Sequence, residues 1–294
     1  MKKVVIDEFL LSQLEQLGTI LKNNVAGMFG GNRRSKNLGS SCEFADYRDY
    51  MPGDDVTKID WNAYGRFDKL YQKLYYDERQ MHTRIYIDAS RSMSHGSDDK
   101  AIAAIRLAAA FAYLSVCEMD KVSVYAIRGS ELIEVVSGMV GKDAYLNCIN
   151  SLNALEFDSD SHISDAIVPS NVGRGDGFSI LISDFLTDDN YEMAIDRFAE
   201  QKRDILCVQI LSREEMNPQI RGKMHLFDSE DQSRFFRKKI DQDVIRAYKE
   251  ALAYVTDRIR LYCESRGGQY ILAPAHVELS ELFFDKFVDM GVVK

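Results

Sequence analysis

From residue 84 onward the chain alternates short apolar runs with longer helical ones, and few folds tolerate that rhythm. RIYID (84–88) reads as a strand, and the alanine-rich stretch 98–119 as a helix apolar over most of its surface. KVSVYAI (121–127) and ELIEVV (131–136) read as strands joined at Arg128-Gly129-Ser130, a hairpin. Helical stretches near 141–153 and 162–169 precede strand FSILISD (178–184), a helix over 188–201 and strand DILCVQIL (204–211). Residues 212–240 read as irregular. A long amphipathic helix over 241–265, strand GQYILA and a last helix near 278–289 close the chain. Strands separated by helices cannot pair as hairpins, so the sheet is mainly parallel and covered on both faces. Right-handed crossovers then predict a doubly wound, Rossmann-like α/β sheet. In the common order 3-2-1-4-5-6, strands 1 and 4 are neighbours, and ligands bind beyond their carboxyl ends.

Upstream of this body the pattern differs. Leu10, Leu14, Leu17 and Leu21 mark an amphipathic helix over 7–24, ended by NNVAGMFGG. A dense aromatic and charged segment then runs from 42 to 79, with one sharp turn at Pro52-Gly53. Residues 1–79 are thus expected to be an N-terminal helix and extension, and 80–294 the main α/β domain. Alternation over 70–76 suggests an edge strand added to the main sheet. Phe44, Tyr47, Tyr50, Trp61 and Tyr64 read as packing between extension and domain, with a docking surface as the alternative. Asp54 or Asp55 reads as a helix N-cap in DDVTKIDW.

Composition narrows the functional classes. A net charge of −9 disfavours nucleic acid and anionic membrane surfaces as partners. The local exception, GGNRRSKN near residue 30, reads as a solvated loop or an internal ion-pair partner. Five scattered cysteines (Cys42, Cys117, Cys148, Cys207, Cys263), with no C-x-x-C pair, fit a reducing compartment. Charge interrupts the first apolar stretch, unlike a signal peptide, and no run approaches 18 uninterrupted apolar residues. The expectation is a cytoplasmic protein without membrane insertion.

Strand 1 ends in Asp88-Ala89-Ser90-Arg91-Ser92, and strand 4 ends in Asp184. These oxygen ligands flank the expected crevice, and hard divalent cations prefer oxygen. The loop FDSDSHISDAI is placed by element order to approach the same point with further hydroxyls. The bland alternative is capping and turn chemistry.

D-x-S-x-S followed by Met93 resembles the metal-ion-dependent adhesion site of von Willebrand factor A domains. SHISDAI is similar to that family's T-x-L-x-x-A-L phrase, which puts Ser161 at the usual Thr; Ser159 and Ser164 are neighbouring hydroxyls. Asp184 matches the family's later Asp. The resemblance implies a metal set of Asp88, Ser90, Ser92, Ser161 and Asp184, holding Mg²⁺ (or Mn²⁺ or Ca²⁺). Residues 43–79 resemble the signature of the bacterial family known as domain of unknown function fifty-eight, with Thr57 and Gln72 departing from its pattern. Members of that family commonly accompany MoxR-type AAA+ ATPases. The resemblance therefore implies a non-enzymatic, metal-dependent protein-binding module, an adaptor or substrate recruiter for such an ATPase. Its partner would supply an acidic side chain to the metal.

The rival class is a metal-dependent, phosphatase-like hydrolase using Asp88. That chemistry needs a second Asp two residues on as general acid, and Ser90 stands there. No P-loop and no G-x-S-x-G occurs. His82 and His95 are close in sequence, yet His95 in MSHGSDD reads as a loop residue.

Overall fold

The computed structural model describes residues 6, 8–24, 34–38, 44–78, 81–94, 99–170, 177–187, 190–220, 222–227 and 235–282. Helix α1 (Glu8–Asn24) precedes strands β1 (Arg34–Leu38) and β2 (Phe44–Asp49), helix α2 (Trp61–Phe67) and strand β3 (Tyr71–Glu78). The main body opens with β4 (His82–Asp88), α3 (Lys100–Cys117), β5 (Lys121–Arg128), β6 (Glu131–Met139), α4 (Lys142–Asn153) and α5 (Ile163–Ile167). It continues with β7 (Phe178–Ser183), α6 (Tyr191–Glu200), β8 (Asp204–Leu211) and α7 (Arg213–Met216). The hairpin strands β9 (Gly222–Phe227) and β10 (Phe235–Ile240), helix α8 (Gln242–Ser265), β11 (Gln269–Pro274) and α9 (Leu279–Glu281) complete the order.

Six strands form the central sheet in the order β11-β8-β7-β4-β5-β6. All neighbours are parallel except β6, which returns antiparallel to β5. Counting strands from β4, this is the 3-2-1-4-5-6 order, with β4 and β7 adjacent at the switch point. The doubly wound, mainly parallel α/β fold is therefore as expected. Period-2 alternation divides each strand between two cores. Ile85, Ile87, Ile180, Ile182, Leu206 and Val208 face one of them, shared with α1, α3 and α4. Tyr86, Leu181, Ile205 and Cys207 face the other, shared with α5, α6 and α8.

Helix α3 starts at Asp99, whose side chain accepts from the Ile102 amide at 3.1 Å. Its alanines let it lie close to the strands. By length and composition it could cross a membrane, yet 78% of it is buried inside the fold. Ile6, Leu10 and Leu14 of the N-terminal segment join the same core.

Three expectations need correction. The alternation over 70–76 does make a strand, β3, but β3 pairs with β1 and β2 in a separate three-stranded antiparallel sheet. The central sheet ends at β6 and β11 instead. Period 2 specifies that a strand exists, and leaves its partner open. Second, the aromatics of this segment are not sealed against the main domain. Trp61 is 63% exposed, Tyr47 46% and Tyr64 41%. Among the described residues Tyr47 packs edge-on against Tyr71 at 6.1 Å and Trp61 against Tyr64 at 6.3 Å, both within the same segment. Third, residues 212–240 are not irregular but carry α7 and the β9–β10 hairpin.

The capping expectation is half met. Asp55 caps only a 3-10 turn (Val56–Lys58), while Asp60 caps α2 by accepting from Asn62 and Ala63. Asp54 pairs with Arg48 at 2.7 Å. His95, Cys42 and the first part of the basic GGNRRSKN stretch lie outside the described residues.

Candidate metal centre

The end of β4 is pinned before any ligand is considered. The Ala89 amide donates to Ile127 O at 3.0 Å, and the Arg91 amide to Ser159 O at 2.8 Å. The first bond ties the loop after β4 to β5, the second to the 158–162 loop. That loop is held in turn where Gly129 donates to Asp160 O at 2.8 Å and His162 donates to Gly129 O at 3.1 Å. Thr187 Oγ1 donates to Ser161 O at 3.5 Å, bringing in the loop after β7. Three loops thus meet beyond the carboxyl ends of β4, β5 and β7.

Asp88, Ser90, Ser161 and Asp184 are each at most 2% exposed, and Ser92 is half-buried. Asp88 Oδ1 accepts from the Ser90 amide at 3.0 Å, and Oδ2 from Ser183 Oγ at 2.6 Å. Ser90 Oγ and Ser92 Oγ lie 2.9 Å apart. Burial pushes the Asp88 carboxyl above its usual range, and the nearby Asp184 charge adds to it. Hydrogen bonds from Ser183 and Ser90 pull the other way. Asp184 Oδ1 accepts from the Leu186 amide at 3.0 Å, and its backbone carbonyl from Gln209 Nε2 at 2.8 Å.

The hydroxyls of the 158–162 loop and of α5 behind it separate cleanly. Ser159 Oγ donates within the backbone, to Ala89 O at 3.3 Å or Asp160 O at 3.0 Å, and Ser164 Oγ donates to Asn190 O. Ser161 Oγ is buried and has no hydrogen-bond partner among the described residues. A buried hydroxyl left unmatched is costly, about 1–3 kcal/mol. An oxygen-seeking cation would satisfy it. The donor set of two carboxylates and three hydroxyls therefore fits a hard divalent ion. No group of three His, Cys, Asp or Glu side chains suited to a metal occurs among the described residues.

The loop after Asp184 is strained to keep this geometry. Phe185 has φ 55°, in the left-handed region, at a cost of about 1 kcal/mol or more. Its ring is 1% exposed and packs edge-on against Tyr191 at 5.6 Å, which holds the strained turn in place.

Residues 46–257, more than half of the chain, match the family described as Protein of unknown function DUF58. The chain belongs to this family. Among related proteins, uncharacterized proteins of Mycobacterium tuberculosis and Mycobacterium bovis are 23% identical over 229 residues, spanning 76% of this chain and 72% of theirs. Of solved structures, the conserved hypothetical protein BatB from Bacteroides thetaiotaomicron is 13% identical, with a TM-score of 0.43, over 73% of this chain and 100% of that one. A von Willebrand factor type A protein from Catenulispora acidiphila is 13% identical, with a TM-score of 0.35, over 74% of this chain and 43% of that one.

Within this DUF58 chain the site holds residues that the sequence reading passed over. Ser183 is fully buried and bridges Asp88 to the Phe185 amide, donating to the first and accepting from the second at 2.9 Å. Lys100, the first residue of α3, is 0% exposed and donates to Asp184 Oδ2 at 2.8 Å and to Glu215 Oε1 at 2.5 Å. Burial works against its ammonium, but the charges of Asp184 and Glu215 outweigh that and hold its pKa above the usual lysine value. Only the position of Ser183 beside Asp184 in LISDF was a usable signal.

Proposed function

We propose that the chain is a divalent-metal-dependent protein-binding module, of the von Willebrand A kind, with a centre at Asp88, Ser90, Ser92, Ser161 and Asp184. The observation that carries this reading is the buried, partnerless Ser161 hydroxyl at the meeting point of three loops that also hold two buried carboxylates. Ser90, Ser92 and Ser161 would hold the ion directly, and Asp88 and Asp184 through water. Ser183 and the Ser90 amide orient Asp88 for that role, and the Leu186 amide orients Asp184. A bound Mg²⁺ or Mn²⁺ supplies an exchangeable coordination position and a positive field that an Asp or Glu of a partner can complete. The partner we favour is a MoxR-type AAA+ ATPase or its substrate, a choice supported by the family signature in residues 43–79. We place the module in the cytoplasm, which suits the free thiols Cys117, Cys148, Cys207 and Cys263.

The hydrolase alternative draws on one observation, the Lys100 ammonium near Asp88 and Asp184, because an ammonium can neutralise part of the charge of a phosphoryl group. Asp88, however, is 2% exposed with both oxygens engaged, and Ser90 stands where an acid is required. The binding reading fits better.

Titration calorimetry of the full chain with Mg²⁺ and Mn²⁺ tests it. One dominant site in the wild type, lost in Asp88→Ala, is the expected result. Equal binding by both proteins overturns the site. A phosphatase turnover above about 1 per second that disappears with Asp88 would favour the enzyme reading instead.

A further inference from the structure

The most unusual charge in the fold is Lys100. A lysine in the first turn of a helix is ordinarily solvated, and burying its ammonium is expensive without strong partners. Here the ammonium is fully buried between two carboxylates from different elements, Asp184 after β7 and Glu215 in α7. The two are not equivalent. Asp184 is 2% exposed, whereas the Glu215 side chain is 23% exposed and keeps contact with water. Glu215 is also anchored independently, its Oε2 accepting from the Ser212 amide at 2.7 Å in a capping box.

We propose that Lys100 is an internal counter-ion that competes with a divalent cation for Asp184, and that Glu215 receives it when the cation binds. The inference rests on the metal-centre reading above and adds a control to it. An ammonium and a divalent ion at one buried carboxylate repel each other strongly, because little water screens them. Lysine is suited to a hand-over: a compact charge on a flexible four-carbon stem moves between acceptors that its helix position keeps within reach. Asp184 and Glu215 already outnumber Lys100, and the Asp88 carboxyl lies close by, so the cluster can take up a cation without expelling the lysine. Cation binding and the position of the ammonium at α7 are then coupled, and such coupling is reciprocal.

The test is Mn²⁺ titration of the full-length wild type, Lys100→Met and Glu215→Gln, with thermal unfolding in EDTA and in Mn²⁺. Lys100→Met removes the competitor and should bind Mn²⁺ about tenfold more tightly or better. Its unfolding midpoint should drop in EDTA and recover in Mn²⁺ by more than the wild-type shift. Glu215→Gln keeps the capping box but removes the receiving charge, so Mn²⁺ affinity should fall severalfold. Unchanged or weaker binding by Lys100→Met, with the wild type binding normally, overturns the inference and leaves the metal centre standing. If Lys100→Met does not fold, Glu215→Gln decides: weaker binding supports the hand-over, and equal or tighter binding overturns it. Absence of Mn²⁺ binding in all three proteins overturns the metal centre and this inference together.

Discussion

The two ends of the central sheet both bury a basic residue, and they use it in opposite ways. At the amino ends of β4 and β7, Arg203 is 5% exposed and donates to Ser179 Oγ at 2.7 Å and to the carbonyls of His82 and Phe178. Those partners are neutral, and burial together with the nearby Arg84 charge lowers its pKa to about 10. At the carboxyl ends of the same strands, Lys100 faces charged acceptors that outnumber it, beside a hydroxyl that has none. The first network directs its donors to neutral oxygens and stitches strands together. The second has acceptors to spare, which suits it to the cation proposed there. Burial of a charge therefore does not distinguish structure from function; the balance of donors and acceptors around it does.

The largest effects should fall at the amino end of the sheet. Gly177 has φ 138°, and a Cβ there would lie 2.4 Å from His82 O and 2.7 Å from His82 N. Neither backbone nor dihedral can yield, so Gly177→Ala should cost roughly 3 kcal/mol or more in urea unfolding. Arg203→Met would leave two backbone carbonyls unmatched, at about 2–4 kcal/mol, with Mn²⁺ affinity unchanged. If Arg203→Met weakened Mn²⁺ binding as much as Asp88→Asn, the two ends would not be independent and the contrast would fail.

Acid should attack the same end. Burial, and then the charges of Arg84, Arg203 and Lys121, lower the His82 pKa to about 4 from an ordinary value of 6.5. Above pH 6.5 the ring is neutral folded and unfolded, and its contribution is complete. Between 6.5 and 4 only the unfolded chain takes up the proton, so stability should decline by about 1–2 kcal/mol after solvent screening. In His82→Gln that part of the pH dependence should be absent from unfolding curves. At the other end, Asp88→Asn should abolish Mn²⁺ binding. It should leave metal-free stability within about 1 kcal/mol, because relief of a buried like charge offsets weakened bonds to Ser183 and Ser90.

How much of this was legible in the sequence follows from which contacts are local. Strand order and the placement of Asp88 and Asp184 came from runs such as RIYID and ILISD, where the residue and its strand are contiguous. Ser161 was singled out only by the resemblance of SHISDAI to the von Willebrand factor A phrase. Lys100 was not, because its two partners lie 84 and 115 residues away, one of them in a stretch that read as irregular. Residues 70–76 gave the right element and the wrong sheet, since alternation fixes which residues share a face but not which strand lies alongside. The exposed Trp61 and Phe67 were unreadable for the complementary reason: aromatic content measures apolar surface, not whether anything covers it.

The smallest stability effect should be the most telling. Ser161→Ala removes a single oxygen that no group in the described structure needs. If that hydroxyl served the fold, its loss would cost about 1 kcal/mol, the usual worth of a buried hydrogen bond. Because it is partnerless, deleting it should leave metal-free stability unchanged or slightly raised, since a buried unmatched polar group is removed. Mn²⁺ affinity should nevertheless fall by about tenfold, as one direct ligand is lost. Ser159→Ala supplies the control: that hydroxyl is engaged with backbone carbonyls, so its loss should cost stability and leave affinity alone. Unfolding in EDTA and titration with Mn²⁺ measure both quantities on both proteins. The reverse pattern, stability lost in Ser161→Ala and affinity lost in Ser159→Ala, would move the ligand to Ser159 and break the distinction between a stitching end and a binding one at its sharpest point.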